Sequence, residues 1–98
     1  MRVFGEIVGF QWDQHNRDKN LIAHGVTNEE CEEAFFDQNK KILEDEIHSK
    51  DEVRFILIGC TNADRVLFIV FTIRKKNIRV ISARDLNKRE YTLYEETT

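Results

Sequence analysis

Apolar residues along this chain change their spacing twice, and each change predicts a different kind of element. In the second half they come in dense, short runs at residues 53–61, 66–74 and 78–83. Short apolar runs rich in β-branched and aromatic residues, bounded by turn signals, read as strands. Asn62-Ala63-Asp64 and Lys75-Lys76-Asn77 are those turn signals. Residues 66–74 are apolar on both faces, which predicts a central strand covered on both sides. Residues 78–83 return as its hairpin partner. Residues 40–45 predict a short edge strand, where charge discourages unwanted pairing. Residues 3–10 form a first strand weakened by Gly5 and Gly9.

Between these strands the period lengthens to that of a helix. Asp13 is placed to cap a polar helix over residues 14–23, and His24-Gly25 stops it, because glycine adopts positive φ without cost. Thr27-Asn28-Glu29-Glu30 is a capping box in which Thr27 and Glu30 satisfy each other's backbone donors. The helix it starts puts Cys31, Ala34 and Phe35 on one face, leaves Glu29, Glu32 and Glu33 solvated, and ends near Asp37. Asp85 is expected to cap a last helix over residues 86–95, with Leu86, Tyr91, Leu93 and Tyr94 at helical spacing. The order β-α-α-β-β-β-β-α predicts one α+β domain over residues 1–98. It has an antiparallel meander sheet, two N-terminal helices and a C-terminal helix.

Composition narrows the class. With 41% apolar and 34% charged residues, the chain has the profile of a soluble globular domain, not a disordered one. The N-terminus lacks the apolar stretch of a signal peptide. The run from residue 66 to 71 is far too short to span a bilayer. A cytoplasmic protein without membrane contact is expected. Cys31 and Cys60 have no redox or zinc spacing around them and read as small hydrophobes. The net charge of −3 argues against nucleic acid, but its distribution does not. Residues 1–52 carry 6 Lys/Arg and 13 Asp/Glu, net −7, whereas residues 53–98 carry 9 and 5, net +4. The basic half can hold an anion while the acidic half faces elsewhere.

Arginines at the ends of the apolar runs suggest what that anion is. Arg54, Arg74 and Arg84 would make the sheet a platform that presents cations to a polyanion. Several motifs in order then carry a resemblance. They are Phe10-Gln11-Trp12-Asp13, Asn20 with His24-Gly25-Val26, and Glu29-Glu30 to Ala34-x-Phe36-Asp37. Next come Glu44-Asp45 with His48-Ser49, and Glu52-x-Arg54-Phe55-x-x-Ile58-Gly59. The last are Phe71-Thr72-x-Arg74, residues 78–84 and Lys88-Arg89-Glu90-x-x-x-Tyr94. From Phe10 to Glu95 the chain resembles the BrnT family of toxins from BrnT/BrnA type II toxin–antitoxin systems. It departs from the family at Ala23, where a lysine usually precedes the His-Gly pair. The resemblance implies a RelE-like fold and a ribonuclease activity that inhibits translation. It also implies a cognate BrnA-like antitoxin that neutralises the toxin, forms a hetero-tetramer with it, and alone contacts DNA.

Metal-free RNA cleavage needs a base for the 2′-hydroxyl proton, an acid for the leaving 5′-oxygen, and cations for charge gathering on phosphorus. Arg54, Arg74 and Arg84 occupy motif positions and suit the last task, since guanidinium grips two oxygens and stays charged. Surface ion pairs with the acidic stretch from Glu44 to Glu52 are the plainer alternative. His48 is the natural acid or base, since the unperturbed pKa of an imidazole, about 6.5, lies near working pH, unless it only organises a polar loop. His24 reads as a helix-end cation or a packed ring. Lys88 and Arg89 either contact RNA backbone or line a solvated helix face. Trp12 either stacks on a base or belongs to the core. His15, His24 and His48 share no ligand spacing, so neither metal nor cofactor is expected. A different class of reading is a non-catalytic module that only docks an antitoxin.

Overall fold

The structure, a computed structural model, describes residues 7–45 and 52–95. Four consecutive strands make the expected meander: β2 (Lys41–Asp45), β3 (Arg54–Cys60), β4 (Val66–Arg74) and β5 (Asn77–Asp85). All three pairings between them are antiparallel. A two-residue strand, β1 (Gly9–Phe10), adds to the outside of β5 in parallel, so the sheet order is β1-β5-β4-β3-β2. β2 is an edge and β4 is central, as the charge and apolar patterns imply. The part of the expected first strand before Ile7 lies outside the described residues. No helix among them is long and apolar enough to cross a membrane.

Alternation along each strand decides what the sheet buries. Phe55 and Leu57, Leu67, Ile69 and Phe71, and Ile78, Val80 and Ala83 point to one face, where they meet Val26, Cys31, Ala34 and Phe35. Those four residues come with α1 (Lys19–His24) and α2 (Asn28–Phe35), which lie on that face. Phe35 sits edge-on to Phe71, with ring centroids 4.9 Å apart, and Phe71 stacks on Phe55 at 5.4 Å. The opposite faces of β3, β4 and β5 carry the arginines. On that side of β4 residues 66, 68 and 70 are half-buried and Thr72 is buried, whereas Leu67, Ile69 and Phe71 toward the helices are wholly buried.

α2 begins where the capping box placed it: Thr27 Oγ1 accepts from the Glu30 amide, and the Glu30 carboxylate accepts from the Thr27 amide. α1 differs from its expectation. It starts at Lys19 rather than near residue 14, and its cap is Asp18 in the left-handed region at φ 59°. Asp13 is occupied elsewhere, so the intervening chain turns without becoming a helix. The stop is as expected, with Gly25 at φ 68°. The last helix is also shorter, α3 (Tyr91–Glu95), and its entry is set by Asn87, which exchanges two hydrogen bonds with Glu90 at 2.9 and 3.0 Å. Asp85 is not its cap because Arg65 holds that carboxylate.

The outer edge of β5 explains the polar residues before and within α1. Beyond Ile78 no strand among the described residues pairs with it, and an unpaired buried edge is costly. Asn16 donates to the Val80 carbonyl at 3.2 Å, Lys19 Nζ to the Ile81 carbonyl at 2.9 Å, and the Ala83 amide donates to Asn20 Oδ1 at 2.9 Å. Asn16 and Asn20 are buried for this reason. Both cysteines are free: Cys31 is buried, its thiol pushed up to about 12 by burial, and Cys60 is half-buried.

Candidate functional site

A bulge in β5 decides which arginines share a face. Val70 pairs with Ser82 but Phe71 pairs with Val80, so Ile81 is the extra residue. Arg79 and Arg84 are five residues apart and would otherwise face opposite ways. With the bulge, Arg79 pairs with Thr72 and Arg84 with Phe68, two positions of β4 that share a face. Arg54 and Arg74 belong to that same face, turned away from α1 and α2, by alternation along β3 and β4.

Three of these cations meet at one end of the sheet. The Arg74 guanidinium grips Glu52 through two bonds of 2.7 and 2.9 Å. Glu52 is held below the usual carboxylate range, first by its hydrogen bond from Arg74 and further by the charges of Arg74, Arg54 and Arg79. Arg79, only 11% exposed, is clamped to Asp13 at 2.7 and 3.3 Å. That bond, with the His15 amide, holds the Asp13 carboxyl down at about 2. The charges of Arg54, Arg74 and Arg79 therefore act together on Glu52, and Arg79 holds Asp13 as well.

Arg84 is separate. Its rung on β4 is four residues from that of Arg79, about 14 Å at a ~3.4 Å rise per residue. It lies 4.2 Å above the Phe68 ring and forks onto Glu90 at 2.8 and 2.9 Å. That fork raises the arginine's pKa and lowers that of Glu90. The guanidinium groups expected to converge thus fall into two groups, Arg54 with Arg74 and Arg84 alone. Lys88 and Arg89 are exposed in the turn just before α3. His48 lies outside the described residues, four positions before Glu52.

Trp12 is half-buried against the core, and its Nε1 donates to Glu32 at 2.7 Å. It also lines a cleft of about 520 Å³ with Phe10, Gln11, Arg74, Lys75 and Asn77. Trp12 thus packs against the core and borders this cleft as well. Among the described residues no group of three His, Cys, Asp or Glu side chains could hold a metal ion.

Sequence reasoning missed Arg79, Asp13 and Glu52 as members of the cluster. A signal existed for Arg79, because it sits between inward-facing Ile78 and Val80 and so must point to the Arg74 side. Arg65, a further cation, has a structural task. It forks onto Asp85, reaches Glu30, and donates to the His24 and Gly25 carbonyls, tying the end of α1 to α2 and β5.

Comparison with known proteins gives the frame for this geometry. No curated protein matches the chain. A family model described as "Ribonuclease toxin, BrnT, of type II toxin-antitoxin system" matches residues 12–90, which include Trp12, Asp13 and all the clustered arginines. The match spans most of the chain, and the protein belongs to the BrnT toxin family.

Proposed function

We propose that this protein is an endoribonuclease toxin that cuts RNA without a metal ion, inhibits translation, and is silenced by a cognate BrnA-like antitoxin. The observation that carries this reading is the gathering of Arg54, Arg74 and Arg79 around Glu52 at one end of the sheet. The ribose 2′-oxygen attacks phosphorus as its proton passes to a base. The 5′-oxygen leaves with a proton from an acid, and a 2′,3′-cyclic phosphate remains. His48 serves as one of these proton carriers. Arg54 and Arg74 bind the phosphate oxygens on which charge accumulates, and Arg79, fixed by Asp13, adds its field.

Glu52 does not block the site. Both members of its pair with Arg74 are a third to a half exposed, and such pairs contribute about 0–1 kcal/mol. A phosphate can take the Arg74 fork at little cost. Arg84, Lys88, Arg89 and Trp12 lie beyond the reach of a single phosphate and contact the flanking RNA. DNA is met only through the antitoxin, with which the RelE-like toxin forms a hetero-tetramer in the cytoplasm.

The test is cleavage of single-stranded RNA by purified protein with and without EDTA, beside an Arg54→Ala, Arg84→Ala double variant. Cleavage that survives EDTA and collapses in the variant supports the reading. Equal cleavage by the variant removes it. One observation favours a second reading, a non-catalytic antitoxin-docking module: Arg74, Arg79 and Arg84 each already hold a carboxylate. Retained antitoxin binding without growth arrest on induced expression would select it.

A further inference from the structure

We infer that the cleft lined by Phe10, Gln11, Trp12, Arg74, Lys75 and Asn77 is a subsite for one unpaired nucleotide beside the scissile phosphate. This rests on the ribonuclease reading and gives it a specificity determinant. At about 520 Å³ the cleft falls in the size range of small-ligand sites. Its lining residues comprise two aromatics, two cations and two amides, with Phe10 also packed edge-on against Phe35. An aromatic face binds any unstacked base. An amide offers a donor and an acceptor side by side, the pattern that reads a base edge. The cations suit the phosphate.

Position links the cleft to the reaction. Arg74 belongs both to the cleft and to the cation cluster, and Asp13, next to Trp12, clamps Arg79. A base seated against Trp12 would leave its phosphate at Arg74. Gln11 and Lys75 make no side-chain bond within the described residues, so both are available to a ligand. The turn that carries Lys75 supports the same conclusion. Lys75 and Lys76 have φ of 49° and 67°, a two-residue hairpin turn in which glycine or asparagine is favoured. Lysine here is strained, and strain of this kind collects where a side chain has a task.

Trp12 is the single tryptophan, so its fluorescence reports occupancy of the cleft directly. The probe is a single-stranded 2′-O-methyl oligoribonucleotide, which lacks the attacking hydroxyl and cannot be cut. The variants are Gln11→Ala and Lys75→Gln, whose side chains the fold does not use. We expect saturable quenching by wild type, binding weakened about tenfold in each variant, and, on cleavable RNA, an altered base preference next to the cut in Gln11→Ala. Unmoved fluorescence, or variants that bind like wild type, overturns the subsite, even if RNA is still cut. Quenching of the expected kind with no cleavage of ordinary RNA leaves the subsite standing and sinks the ribonuclease reading instead.

Discussion

Arg79 closes on Asp13 across 66 residues of chain, placing one guanidinium nitrogen 2.7 Å from a carboxylate oxygen. This contact joins β5 to the turn before α1 and fixes one of the three clustered cations. It also explains why Asp13 starts no helix. Its carboxylate is committed to Arg79 and to the His15 amide, and its carbonyl accepts from Asn16 and Arg17.

The contact has a pH signature. The Asp13 carboxyl is lowered from 3.8 to about 2, chiefly by the Arg79 hydrogen bond. A carboxyl depressed in the folded state stabilises above its unfolded value, and that contribution disappears as pH falls through its folded value. Stability from this pair should therefore be fully present above pH 4 and drain away between about pH 4 and pH 2. Urea midpoints measured across that window should fall less steeply in Asp13→Asn than in wild type.

Asn20 should matter more than its place in a six-residue helix suggests. Removing its side chain leaves the Ala83 amide buried without an acceptor, which costs about 1–3 kcal/mol. Asn20→Ala should show that loss in chemical denaturation. Ala23→Gln, an exposed change on the same helix, should stay within about 0.5 kcal/mol.

Gly59 sets how closely α2 approaches the sheet. A Cβ there would collide with the Ala34 carbonyl oxygen and come within 2.9 Å of Leu57. The obstacle is backbone and cannot swing away, so Gly59→Ala should destabilise by about 1–3 kcal/mol. Gly9→Ala meets only the Asn77 side chain at 3.4 Å and should be far milder. A thermal melt of both variants checks the contrast.

Elements whose signals are local were legible in the sequence. Thr27 and Glu30, Gly25, and the hairpin turn at Lys75-Lys76 all act within a few residues, and each appears where the pattern placed it. The start of α1 and the cap of α3 were not legible. Asp13 and Asp85 are both good cap residues, but each was claimed by an arginine distant in sequence, Arg79 and Arg65. The site divided in the same way. Alternation alone puts Arg54 and Arg74 on one face. The bulge at Ile81, which turns Arg84 to the face that Arg79 already occupies by alternation, depends on cross-strand register and leaves no mark in the apolar spacing.

The central claim is that clustered guanidinium groups stabilise charge on a phosphate under attack. The most direct measurement is the single-turnover rate of RNA cleavage in EDTA by wild type and by an Arg54→Ala, Arg74→Ala double variant. The account predicts cyclic-phosphate ends from wild type and a rate lower by about 10³-fold or more in the variant, since losing one such donor costs about 10²–10³. Equal rates, or cleavage by wild type that stops when EDTA is added, would contradict it.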